Sequence, residues 1–105
     1  MNSLINVIDI VTNFPELYIG KPSLERLYAF IGGYLFQNEE ADDHCLDGFN
    51  EYVARKYRIQ SDHNWASIIQ FFSSNEEEAF QKFIILFNEY CLIKNPSSDY
   101  NLTNR

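Results

Sequence analysis

Four side chains in the middle of the chain carry atoms suited to metal chemistry: His44, Cys45, Asp47 and His63. Imidazole, thiolate and carboxylate are the ordinary ligands of zinc, but zinc sites draw on them at regular spacings. The spacing here matches none of those patterns, and on a helix His44 and Cys45 would point in different directions. Nucleophilic catalysis asks for a nucleophile or base held by an orienting partner. The sequence contains no G-x-S-x-G, no phosphate-binding glycine loop, no H-E-x-x-H and no G-x-G-x-x-G. Two histidines among scattered carboxylates do not form a catalytic set, so the residues predict neither an enzyme nor a cofactor.

The acidic residues are more suggestive. Glu39, Glu40, Asp42, Asp43, Asp47 and Glu51 follow one another with no Lys or Arg among them. If a helix runs from about Asp43 to Arg58, then Asp43, Asp47 and Glu51 stand at i, i+4 and i+8. That is one exposed face, largely opposite Leu46, Phe49 and Val53. Like charges at this spacing destabilise a helix by a few tenths of a kcal/mol. Two readings follow: a solvated face that keeps the protein soluble, or a docking surface for a basic partner. Arg55, Lys56 and Arg58 come next and complement the dipole at the end of that helix. Tyr18, Tyr28, Tyr34 and Tyr52 suit either a partner surface, where Tyr is enriched, or a core edge with a wet hydroxyl.

These residues are carried by a chain of 105 residues with 46% hydrophobic side chains, nine Phe and seven Tyr. Length and composition predict one globular domain with a single core. The formal net charge of −7 argues against nucleic-acid backbones and anionic membranes as direct partners, and it favours basic proteins. No signal peptide and no run long enough to span a membrane is visible, so a cytoplasmic protein is expected, with Cys45 and Cys91 as thiols.

The periodicity is helical. Leu4, Val7, Ile8 and Val11 have helix spacing, although their β-branched neighbours raise a strand alternative. Pro15 ends that helix, and 14–22 reads as an irregular loop with Gly20 available for a positive φ. Ser23 caps a second helix with the stripe Leu24, Leu27, Tyr28, Ile31 and Leu35. Gly32 and Gly33 lie inside it at about 1 kcal/mol each relative to alanine, and a close helix approach or a kink would explain them. Residues 38–43 read as a loop before the third helix.

A helical hairpin follows from Asn64 to Cys91. Asn64 caps the stripe Trp65, Ile68, Ile69 and Phe72. Ser74 and Glu77 have capping-box spacing. Phe80, Phe83, Ile84, Phe87 and Cys91 form the last stripe, widened by Ile85, Leu86 and Tyr90. The expectation is an all-α, compact single-domain bundle of four to five helices over residues 1–95, with the apolar C-terminal helix at its centre. Residues 96–105 are expected to form a mobile polar tail, dispensable for folding.

Two stretches carry a likeness. One is Pro15-Glu-Leu-Tyr-Ile-Gly20 followed by Pro22-Ser-Leu-Glu-Arg-Leu-Tyr-Ala-Phe-Ile-Gly-Gly-Tyr34. The other is Trp65-Ala-Ser-Ile-Ile-Gln-Phe-Phe-Ser-Ser-Asn-Glu-Glu-Glu-Ala-Phe-Gln-Lys-Phe83. Together they resemble the small helical immunity proteins of bacterial contact-dependent growth inhibition and related polymorphic toxin systems. The likeness spans 14–89 and rests on helix faces and caps. The acidic run is not part of it.

The resemblance implies a cytoplasmic, non-enzymatic monomer that binds the C-terminal domain of one cognate toxin, one to one, and occludes its active site. Many such toxins are nucleases, which are usually basic because they bind phosphates. The partner-binding candidates are then Glu39, Glu40, Asp42, Asp43, Asp47 and Glu51. The alternative is a non-enzymatic adaptor or regulator of some other basic protein.

Overall fold

The computed structural model describes residues 3–38, 44–60 and 62–94. Among these the chain is all-α, with six helices: α1 (Leu4–Asn13), α2 (Pro15–Tyr18), α3 (Leu24–Gln37), α4 (Phe49–Lys56), α5 (Trp65–Phe71) and α6 (Glu76–Lys94). The boundary expected at residue 95, the tail beyond it, and Glu39, Glu40, Asp42 and Asp43 lie outside the described residues.

Short polar side chains start three of the helices, Ser23 and Asn64 as expected and Ser3 in addition. Ser3 accepts from the Asn6 N–H at 3.3 Å, Ser23 from the Arg26 N–H at 3.3 Å, and Asn64 from the Ser67 N–H at 2.8 Å. The buried face of α1 is Leu4, Ile8 and Val11, so helical spacing wins over β-branched content there. In α3 the buried residues are Leu24, Leu27 and Ile31, while Tyr28 and Leu35 reach the surface.

Four local expectations are corrected. First, part of 14–22 is a helical turn, α2, which takes the count to six. Pro15 fits its first position, where no N–H is needed. The turn closes on Gly20, at φ +91°, with the N–H groups of Ile19 and Gly20 both donating to the Pro15 carbonyl.

Second, Gly32 and Gly33 do not serve the close approach of a neighbouring helix among the described residues. No atom lies within 4 Å of where a Cβ would stand at either position.

Third, the helix expected from Asp43 begins only at Phe49. Gly48 takes φ +83°, outside the helical region, and 45–48 forms a turn. A Cβ at Gly48 would come within 2.8 Å of the Tyr90 hydroxyl. Fourth, the cap of α6 stands one residue later than expected. Asn75 accepts from the Glu78 N–H at 2.8 Å, and Glu78 accepts from the Ser74 N–H at 2.6 Å.

The core is aromatic around Phe49. Its ring lies 5.3–6.2 Å from those of Tyr52, Trp65, Phe83, Phe87 and Tyr90. Helix α6 packs on α3, α4 and α5 and buries Phe80, Phe83, Ile84, Leu86, Phe87, Tyr90 and Cys91, while Ile85 faces solvent. Helices α1 and α2 pack on each other, and α1 on α3.

Candidate partner-binding surface

The two described members of the acidic run stand on different elements. Asp47 sits in the turn before α4, where its carboxylate meets His44 Nδ1 at 2.9 Å. The turn's backbone is held by α6: the Tyr90 hydroxyl donates to the Asp47 carbonyl, and Lys94 Nζ donates to the His44 carbonyl at 3.0 Å. Glu51 is exposed in the first turn of α4, where a carboxylate favours the helix dipole. The proposed i, i+4, i+8 face is therefore not formed, because the positive φ of Gly48 separates Asp47 from the helix that carries Glu51.

The four side chains with metal-binding atoms are also apart in role. His44 pairs with Asp47, whereas His63 lines a cleft with Ile59, Ile68 and Phe71. Among the described residues no group of three or more His, Cys, Asp or Glu is placed to hold a metal ion. Burial pushes the Cys91 thiol up to about 11, against the opposing pull of Lys94, so at neutral pH it is a core thiol rather than a nucleophile. Tyr52 is pushed up to about 12 by burial first and then by Glu89, whose carboxylate accepts from its hydroxyl at 2.9 Å and pairs with Lys56 at 3.2 Å. That set joins α4 to α6 and is structural.

The surface offers two apolar clefts instead. The first, of about 370 Å³, lies between α1, α2 and α3 and is lined by Val7, Ile10, Val11, Tyr18, Phe30, Tyr34 and Asn38. Tyr18 meets Phe30 edge-on at 6.5 Å. Leu17 and Phe36, 78% and 81% exposed, stand on the same elements. The second, of about 520 Å³, lies between the α4–α5 connection and α5, with Phe71, 82% exposed, and Phe72, which stacks on Tyr57 at 4.5 Å.

No family model, curated protein or solved structure matches the chain.

Charge separates the two clefts. Residues 1–54 hold nine carboxylates against Lys21 and Arg26, whereas residues 55–105 hold six carboxylates and six Lys or Arg. The whole net charge therefore belongs to the first half. Both of its cations are engaged. Lys21 pairs with Glu76 at 2.7 Å, and Arg26 Nη1 donates to the Ile19 carbonyl at 2.8 Å. Lys21 and the Ser23 hydroxyl hold the Glu76 carboxyl below its usual range, which ties the α2–α3 loop to the start of α6.

Sequence reasoning located the acidic run but missed the cleft between α1, α2 and α3. The lining residues come three from α1, one from α2, two from α3 and one from its cap, so no single stripe reveals them. Tyr18 and Tyr34, noted as surface candidates, both line it, whereas Tyr52 is a core-edge residue. The described helices include none long and apolar enough to cross a membrane.

Proposed function

We propose that this chain is an immunity protein. It binds the C-terminal domain of a basic, secreted bacterial toxin in the cytoplasm, one copy to one, and neutralises it by covering its active site, with no chemistry of its own. The observation that carries this reading is the charge division: a helical domain whose net charge of −7 falls within residues 1–54, the part of the chain that also supplies the walls of an open apolar cleft. A nuclease-type toxin domain is the complementary object, since it gathers Lys and Arg to hold phosphates. The likeness of the 14–34 and 65–83 stretches to immunity proteins points the same way. In this reading α6 is the frame against which α3, α4 and α5 are held.

The test is to express the toxin domain encoded immediately upstream, with and without this chain. Survival should depend on the chain, and the purified pair should form a one-to-one complex. Reversing Glu39, Glu40, Asp42 and Asp43 to Lys should slow association by about tenfold or more at low salt, with the difference shrinking as salt rises. A folded reversal variant that associates at the wild-type rate would reduce the acidic run to a solubility device. Binding to a basic protein that is not a toxin would support the adaptor reading instead.

A further inference from the structure

We infer that the partner enters through the cleft between α1, α2 and α3, and that what fills it is an apolar side chain carried on a cationic segment of the partner protein. The inference rests on the reading of this domain as a binder of a basic protein, and it names the surface and the chemistry of the contact.

Three observations meet at this cleft. Its walls are apolar and aromatic, with Val7, Ile10, Phe30 and Tyr34 half-buried and Tyr18 more open. At about 370 Å³ it lies near the small end of ligand-sized clefts, which suits one or two large side chains. Its surroundings also carry more negative than positive charge, since the three helices bring Asp9, Glu16 and Glu25 against Arg26. Helices α1 and α2 contain no Lys or Arg and bring Asp9 and Glu16, while the only cation of α3 is Arg26, bonded to the end of α2. The net sign of these elements attracts and orients a cationic partner rather than an anionic one, with Arg26 at the end of α2 the one cation they bring.

The third observation is Gly33. It is exposed, three residues on from Phe30 and next to Tyr34 in α3. Nothing inside the molecule requires a glycine there, since no atom lies within 4 Å of the missing Cβ. A glycine in a helix interior is nevertheless less stable than alanine by about 1 kcal/mol. The bare position, like its neighbour Gly32, leaves room for another backbone to approach α3 closely.

The second cleft lacks this selectivity. Lys82 Nζ donates to the Phe72 carbonyl at 2.6 Å and Glu78 lies 3.7 Å from Lys82, so both signs are present at its edge.

The probe is a helical peptide of about a dozen residues with Leu on one face and Lys on the other, titrated into the isotope-labelled full chain and followed by NMR amide shifts. Shifts should centre on Val7, Ile10, Tyr18, Phe30 and Tyr34. Two control peptides, with Ser for Leu or Glu for Lys, should bind about tenfold more weakly or worse, the scale on which losing a central anchor acts. Tyr18→Lys should weaken binding to a similar degree and Tyr18→Phe should not, with melting temperature as the folding control. Gly33→Ala should raise the melting temperature and lower the affinity, two effects that a purely structural glycine would not combine.

Shifts centred on Ile59, Ile68 and Phe71, equal binding by the Ser peptide, or no binding at all would each overturn the inference. The peptide assay uses no toxin. Conversely, a toxin domain neutralised equally well by folded Tyr18→Lys would overturn the cleft and leave the neutralisation reading standing.

Discussion

The cleft between α1, α2 and α3 is walled by elements that bring three carboxylates against the one cation Arg26, whereas the cleft beside Phe71 and Phe72 has Lys82 and Glu78 together at its edge. The second is the larger, and both are lined mainly by aromatic and aliphatic side chains. Shape alone would favour the second. The balance of charge around each favours the first, because it specifies a partner's sign as well as room for its side chain. The two regions also differ in what they bury, aliphatic side chains such as Leu4, Ile8, Leu24 and Leu27 beside the first cleft and rings elsewhere. Most of the fully buried rings come from α4 and α6, while the N-terminal helices leave Leu17 and Phe36 open to solvent.

The largest expected effect tests that division. Phe87 is fully buried, stacked on Phe83 at 5.3 Å and edge-on to Phe49 at 5.7 Å. Phe87→Ala should cost about 3–5 kcal/mol in denaturant titration. Phe36→Ala should stay within about 0.5 kcal/mol, as exposed substitutions do. Comparable losses at the two positions would dissolve the distinction between the aromatic core and the exposed ring of α3.

Next is Ser23→Ala. This fully buried hydroxyl accepts from the Arg26 N–H and bonds Glu76, so it both caps α3 and joins the acidic half to α6. Its loss should cost about 1–2 kcal/mol. A cost near zero would mean that this joint contributes nothing.

A smaller effect, of opposite sign, is expected beside the second cleft. Arg58 takes φ +57°, with its N–H donating to the Arg55 carbonyl and the Ile59 N–H to the Ala54 carbonyl. This is the helix-ending motif that favours glycine in the left-handed position. Arg58→Gly should therefore stabilise the domain, by up to about 1 kcal/mol.

The smallest effect is confined to alkaline pH. Tyr52 is pushed up from 10.0 to about 12, so the unfolded chain ionises first and stability falls as pH rises through that interval. Tyr52→Phe should flatten the fall, as measured by melting temperature against pH. An unchanged slope would show that Tyr52 is not the titrating group.

Much of the fold was legible because helix starts and stripes are local. Ser23 and Asn64 cap where expected, and Phe80, Phe83, Phe87 and Cys91 are buried as their spacing required. The failures were also physical. Two capable residues, Ser74 and Asn75, stand side by side, and only the backbone decides which one caps α6. The stripe Leu46, Phe49, Val53 was extended back through Gly48, although Asp-Gly is turn chemistry and Gly48 takes a positive φ. Helix α2 is a single turn, too short to display a period. The cleft was not legible because packing, rather than pattern, brings α1, α2 and α3 together. Asp47 and Glu51 were recognised as acidic, but not that a turn pinned by Tyr90 and Lys94 would divide them.

Helix α1 packs on α2 and α3, whereas α6 packs on α3, α4 and α5. The cleft thus lies along the seam where an outer layer meets the body of the domain. Local opening draws on such layers, because fewer buried contacts must be broken than in global unfolding. The amides of α1 should therefore exchange with solvent deuterons at a lower free energy than those of α6, and occupation of the seam should slow the former far more than the latter. Recognition would then be felt chiefly as a tightening of the first helix, leaving the aromatic centre as it was.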